Sequence, residues 1–398
     1  MLDKAMSFFL GTYIFFLCST VSNAGYSISC AGLLILLIIC SVRIKRRFIL
    51  PNYYFCSIYG LFFLLLFLSA YCLGDAVSIE STWRYLYYTF PFVILYFSFL
   101  YNFSEKNLQV GIFAAAAILS AYSMYQFITL PVGTRIPSIF TSPNKLPMVL
   151  EVFFPFMAIF FLKKNAFALN KIGMFCIFGA TTAALLLTQS RGGILGVVIG
   201  FFVVLLGRII LFHFSHHLAK RLVIYFASVV CVIGISGALV NTVFDRHYDS
   251  ERILLVKSSY AMWKEHPWCG VGFDNWAKEY QTKYILPEAR ERSLDMPHNT
   301  VAFFFSATGT LGGIGYLIFI LGTTGFLMKK MMNEPENLYV QAMLWAFIAV
   351  FIHGLVDAGM TNKFAARLLF GFLGITLASL QVKNIVERKQ SECSNLKS

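Results

Sequence analysis

The feature that most constrains this chain is a succession of apolar runs, each near the roughly 20 residues an α-helix needs to cross a bilayer. Such runs lie near residues 7–23, 26–42, 53–73, 84–101, 109–130, 146–162, 171–188, 191–212, 221–242, 298–328, 338–358 and 364–381. In lipid every backbone N–H and C=O must be satisfied within the segment, so runs of this length fold as helices. Composition agrees, with 58% of residues hydrophobic and only 13% charged, where a soluble domain carries about a quarter charged residues. The expected fold is an all-α integral membrane protein of about 12 transmembrane helices with one large loop that itself contains helix. Three regions follow: residues 1–242 with the first nine spans, the loop 243–297, and residues 298–398 with the last three spans and a tail. Met1 to Asn23 lacks a small-residue cleavage site and runs straight into more apolar sequence, so it reads as the first span and not as a signal peptide.

Charge sets the orientation. The net charge is +13, which in a soluble protein would suggest nucleic acid; here the cations sit in short clusters between apolar runs, and no nucleic-acid partner is expected. With the N-terminus cytoplasmic, the inside segments hold 18 of the 32 lysines and arginines, the short outside segments six and the long loop eight. Long loops weigh little in the positive-inside rule. Both termini are therefore expected in the cytoplasm and the long loop on the far side, the periplasm of a bacterium with an outer membrane. The nine cysteines lie mostly in apolar runs and show no CxxC spacing, so neither a disulfide framework nor a metal site is expected.

The loop is too rich in aromatics for a solvated linker, with Trp263, Trp268, Phe273, Trp276, Tyr280 and Tyr284. Arg252 to His266 reads as an amphipathic helix lying on the membrane surface, with Ile253, Val256, Tyr260 and Trp263 on one stripe. Ser250 is the expected N-cap and Pro267 the stop, followed by a turn at Gly270 and Gly272. Three groups then meet the same face of the membrane. Arg191 stands between two apolar runs at a helix N-terminus, where free N–H groups favour anions. Arg252 opens the loop helix, and His298 follows Pro297 at the start of a span. Two guanidiniums suit a diphosphate, and a neutral histidine accepts a proton from a hydroxyl. Together they describe attack by a hydroxyl on a carbon that bears a diphosphate leaving group. Each also has a plainer reading, as a snorkelling anchor for the arginines and as a cap or anchor for the histidine. Gly192, Gly196 and Gly200 recur at spacing four, which lets a neighbouring helix come close. No Walker or GxGxxG nucleotide loop and no carboxylate cluster for a metal is present, so no cofactor is expected.

Leu187–Gly193 (LTQSRGG), Ser250–Trp276 (with HPWCGVG) and Pro297–Tyr316 (with HNTVAFFFSATGTLGG), together with the twelve-span plan and its large loop, resemble the bacterial O-antigen ligase family, within the superfamily of O-antigen polymerases and related oligosaccharyltransferases. The resemblance implies a GT-C-type glycosyltransferase of the inner membrane whose site faces the periplasm. It implies transfer of a glycan from undecaprenyl diphosphate to a sugar hydroxyl of lipid A–core, with inversion and without metal or ATP. By resemblance Arg191 and Arg252 bind the donor diphosphate, and His298 activates or orients the acceptor hydroxyl. The charges after Gly272, from Asp274 to Asp295, have no assigned role. An O-antigen polymerase with the same lipid-linked donor is the nearest alternative. A flippase would place charges within the spans, whose interiors hold only Glu151 and Asp357.

Overall fold

A computed structural model of the chain describes residues 2–44, 49–101, 104–163, 170–213, 249–357 and 359–395, and among these the secondary structure is helical, without strands. The helices are α1 (Leu2–Ser19), α2 (Asn23–Ile44), α3 (Tyr53–Leu73), α4 (Ala76–Tyr88), α5 (Pro91–Tyr101), α6 (Glu105–Thr129), α7 (Lys145–Leu162), α8 (Lys171–Leu187), α9 (Arg191–His213), α10 (Asp249–Glu265), α11 (Trp276–Glu279), α12 (Thr300–Asn333), α13 (Leu338–Gly354) and α14 (Lys363–Asn395). Eight of them, α1, α2, α3, α6, α7, α9, α12 and α14, are long and apolar enough to cross a membrane, and α8 and α13 are shorter apolar helices. The chain is thus an integral membrane protein. The expected ninth span, 221–242, lies outside the described residues.

The expected fourth span, 84–101, is not one helix but the pair α4 and α5. Pro91 opens α5 and has no N–H to extend the hydrogen-bond ladder of α4. The chain turns between them instead, with Thr89 N–H bonded to Leu86 O at 3.0 Å and Phe90 N–H to Tyr87 O at 3.1 Å. Local chemistry marks the other helix ends. Asn52 caps α3 by accepting Tyr54 N–H, Gly74 ends it in the left-handed region at φ 69°, and Asp75 caps α4 by accepting Ser78 N–H.

α5 packs along α14, α12 along α3, α1 against α6, and α13 against both α7 and α9. The glycine stripe of α9 explains the last contact. A Cβ at Gly196 would stand 2.5 Å from Ala349 O, and one at Gly200 2.5 Å from the Trp345 ring. The two backbones therefore approach as the spacing predicted, and Trp345 Nε1–H donates across to Val197 O at 2.7 Å. One end of the bundle carries the long loop. At the opposite end Lys163 pairs with Glu105, which also accepts the Tyr339 hydroxyl at 2.9 Å.

The described part of the loop is docked, not solvated. Its HPWCGVG stretch lies against a break in α12, where Gly309 leaves helical geometry at φ 62°, ψ −165°. The carbonyls and N–H groups freed by that break are taken up by the loop: Val271 N–H bonds Ser306 O, Gly272 N–H bonds Ala307 O, and Thr310 N–H bonds Pro267 O, at 2.7 to 3.0 Å. A Cβ at Gly309 would meet Trp268 O at 2.2 Å, so only glycine allows this approach. The HPWCGVG and HNTVAFFFSATGTLGG segments are therefore one another's partners. Phe273 inserts among Tyr85, Phe303 and Phe304, and Asn275 donates to Asp75 at 2.8 Å.

Several charges without an assigned role find one here. Asp274 pairs with Arg84 and Lys283 with Glu265. The buried Glu251 carboxylate accepts the backbone N–H groups of Arg290 at 3.0 Å and Glu291 at 3.4 Å. α10 starts at Asp249, so Ser250 lies within the helix and is not its cap. Of its expected apolar stripe, Ile253 and Tyr260 face outward, 56% and 59% exposed, while Trp263 turns to α12, its Nε1–H donating to Thr310 Oγ1 at 3.0 Å; Leu255, Ser258, Ser259 and Met262 are buried beneath. An outward apolar stripe is what a helix resting on lipid presents.

Candidate active site

The site is best built outward from the turn that follows α13, Leu355-Val356-Asp357, which the sequence reading passed over. Thr300 Oγ1 donates to Asp357 O at 3.3 Å, and Asn299 Nδ2 donates to Leu355 O at 2.8 Å. These bonds fasten the start of α12 to the end of α13. They leave Asp357 buried at the loop end of the bundle, beside the residues that precede α12.

His298 belongs to those residues. It was expected to head the span; the helix instead begins at Thr300, with Asn299 as its N-cap accepting Ala302 N–H at 2.8 Å. His298 stands one residue earlier in a left-handed conformation, φ 48°. Such a backbone is rare for a residue with a Cβ, and persists where surrounding contacts hold it. The contact here is a bond from Nδ1 to Asp357 Oδ1 at 3.0 Å. The carboxylate fixes ring orientation and places the proton of a neutral ring on Nδ1, leaving Nε2 as the basic nitrogen. About a quarter of the side chain, 27%, remains exposed.

The start of α9, which Arg191 opens, meets the same turn from another direction. α8 ends at Leu187 and α9 begins at Arg191, so the reversal takes three residues, with Gln189 left-handed at φ 51°. Arg135 supports the reversal by donating Nε–H to Thr188 O at 2.9 Å. Ser190 caps α9, its carbonyl accepting Ile194 N–H at 3.0 Å and its Oγ accepting Gly193 N–H at 3.4 Å. Gly192 sets how close the first turn sits: a Cβ there would lie 2.5 Å from Val356 and 2.7 Å from the His353 ring. Arg191 and His298 thus flank one turn, the first through Gly192 and Val356, the second through Asp357.

Arg252, half-buried near the start of α10, is joined to the cluster electrostatically. Its charge and that of Asp357 both act on the His353 imidazole. Arg191 and His298 thus flank the 353–357 segment, and Arg252 lies within electrostatic reach of it. A groove of about 510 Å³ runs alongside, lined by Val256, Tyr260 and Trp263 of α10, Val301 and Phe305 of α12, and Asn299 and Leu355. Its wall is apolar; Asn299 adjoins His298, and Leu355 lies two residues before Asp357.

Sequence reasoning missed Asp357 as a partner of His298. The available signal was a carboxylate at the end of an apolar run, where an unpaired charge is costly. It also missed a second arrangement just beneath. His353 Nδ1 lies 3.0 Å from Glu151 Oε2 and its Nε2 3.4 Å from Ser190 Oγ, all three side chains being buried.

Comparison with curated proteins finds no match for the chain. A family model does match: residues 175–317 fit the family described as O-antigen ligase (Wzy_C), a domain shared by O-antigen ligases and polymerases. The family works generally on lipid-linked glycans. The matched stretch opens within α8 and closes within α12, so it takes in Arg191, Arg252 and His298, while Glu151, His353 and Asp357 are supplied from outside it. The similarity to the O-antigen ligase family thus rests on residues 175–317 of this chain.

Proposed function

We propose that the chain is an O-antigen ligase of the bacterial inner membrane, transferring a glycan from undecaprenyl diphosphate to a sugar hydroxyl of lipid A–core. The observation that carries this reading is the His298–Asp357 pair, held at 3.0 Å at the loop end of the bundle beside the N-terminus of α9. In the reaction, the acceptor oxygen attacks the anomeric carbon and its proton passes to His298 Nε2. The bond from that carbon to the diphosphate oxygen breaks, and the electron pair leaves with undecaprenyl diphosphate. Attack opposite to the leaving group inverts the centre. Arg191 and Arg252 bind the diphosphate and stabilise the charge that develops on it, as guanidiniums and a helix N-terminus do. The apolar groove beside Asn299 fits the polyprenyl chain. The energy comes from the donor, so neither ATP nor a metal takes part. The lysine and arginine distribution supports a periplasmic site with both termini in the cytoplasm.

Purified chain, reconstituted with lipid-linked O-antigen, lipid A–core and chelator but no nucleotide, should form capped lipopolysaccharide. Formation of longer lipid-linked glycan from two lipid-linked repeats, with the core left unmodified, would replace the ligase reading by the polymerase one. A requirement for metal or nucleotide would overturn the mechanism.

A further inference from the structure

Beneath the site, Ser190, His353 and Glu151 form a chain of side chains that the proposed chemistry does not use. Glu151 is fully buried in α7 and its Oε1 has no hydrogen-bond partner among the described residues. A buried carboxyl there either takes up a proton or keeps its charge beside a cation. His353 supplies one: its Nδ1 lies 3.0 Å from Glu151 Oε2. As an imidazolium the ring donates from both nitrogens, so its Nε2–H is directed to Ser190 Oγ at 3.4 Å. Ser190 is the residue whose hydroxyl also accepts Gly193 N–H in the first turn of α9.

The packing around this ring is close on the α9 side. A Cβ at Gly192 would stand 2.7 Å from His353 Cδ2, and one at Gly193 2.5 Å from Pro147 and 3.5 Å from His353 Cε1. The paired glycines after Arg191 thus seat the first turn of α9 directly on the imidazole. α7, α9 and α13 meet there, and a tie running Glu151–His353–Ser190 crosses all three.

We propose that His353, charged and oriented by Glu151, is a positioning residue that holds the Ser190–Gly193 turn so that Arg191 and the N-terminal end of α9 are preset for a diphosphate. The inference rests on the reading of Arg191 as a diphosphate ligand. It assigns His353 no contact with substrate: the ring acts through Ser190 on the helix start, and its positive charge lies behind the anion site.

The test measures binding of undecaprenyl diphosphate to the full chain in nanodiscs, for the wild type, Arg191→Ala, His353→Gln, Ser190→Ala and the double variant Arg191→Ala/His353→Gln. Arg191→Ala should weaken binding at least about tenfold, the loss of a charge-assisted contact. His353→Gln should weaken it about tenfold, and Ser190→Ala about threefold, the scale of one lost hydrogen bond. The double variant should bind within about a factor of two of Arg191→Ala alone, because groups that act through one another are not additive. If Arg191→Ala binds as the wild type does, the diphosphate reading fails and this inference with it. If Arg191→Ala weakens binding but the other two losses are absent, or if the double variant shows the product of both, His353 does not act through Arg191 and the inference alone is overturned. Ser190→Ala removes one hydroxyl and leaves the His353–Glu151 pair in place, so it decides the matter even if His353→Gln does not fold.

Discussion

Two histidine–carboxylate pairs stand a few residues apart in this protein and make the same bond in different surroundings. In each, Nδ1 lies 3.0 Å from a carboxylate oxygen. The His298–Asp357 side chains are 27% and 5% exposed, the His353–Glu151 side chains 1% and 0%. In the outer pair one ring nitrogen is oriented and the rest of the imidazole keeps access to a substrate. In the inner pair both ring nitrogens are committed to the protein. On the proposed reading the same hydrogen-bond geometry serves chemistry in one place and architecture in the other, and what separates them is access. The outer pair also holds backbone that would not persist alone, since His298 sits at φ 48°.

Truncating each pair breaks the comparison in opposite ways. His298→Ala should lower the rate of glycan transfer about 10³-fold, the range of a lost general base, with a smaller fall in melting temperature than Glu151→Ala gives, because the outer pair is partly open to water. Transfer within tenfold of the wild-type rate would remove His298 from the chemistry. Glu151→Ala should do the reverse. It leaves His353 buried without its carboxylate, a change that costs about 3 kcal/mol or more, so the melting temperature should fall clearly; an unchanged melting temperature would mean the inner pair carries no structural load. Asp357→Asn is the intermediate case. It keeps a hydrogen-bond acceptor for Nδ1 but removes the charge that favours the imidazolium formed as the hydroxyl loses its proton. A fall of about 30-fold in rate is expected, smaller than that for losing the base itself. A loss equal to that of His298→Ala would show instead that the carboxylate is indispensable to the site.

Much of this was readable in the sequence, for reasons that also explain what was not. Apolar runs of spanning length report on solvent, and solvent dictates helix; that is why α3, α6, α9 and α12 fall where the runs do. The α9 glycines at spacing four announced a close neighbour because no side chain intervenes. Arg191 and His298 were visible because a charge or an imidazole beside Pro297 is conspicuous at the edge of lipid. The pairings were not visible. Glu151, Ser190 and His353 are far apart in the chain and meet only when α7, α9 and α13 pack, and no spacing rule connects them. The break at Gly309 was hidden for a related reason. Its 34-residue helix reads as one apolar run, and only the docking of the HPWCGVG segment makes a broken ladder tolerable. The buried face of α10 was unreadable too, since Ser258 and Ser259 lie on it beside Leu255 and Met262.

A third carboxylate, Asp75, tests whether the loop's attachment is sensitive to acid. Asp75 accepts the Ser78 hydroxyl at 2.8 Å, Asn275 Nδ2 at 2.8 Å and Ser78 N–H at 3.0 Å. The Ser78 side chain first, and Asn275 after it, stabilise the charged form and hold its carboxyl below the usual range. A carboxyl whose value is lowered on folding adds stability that is fully present above its unfolded value, about pH 4, and is lost as the pH falls through the lower folded value. Docking of residues 270–276 should therefore be constant from neutral pH down to about pH 4 and loosen only below it. The reporter is Trp276, buried with Nε1–H donating to Ser259 Oγ at 3.3 Å, whose emission should shift to longer wavelength as it meets water. Asp75→Asn has no carboxyl to titrate, so the part of the shift below about pH 4 that belongs to this bond should disappear in it. A wild-type shift that begins between pH 5 and 7 would mean that a group other than Asp75 governs the docking.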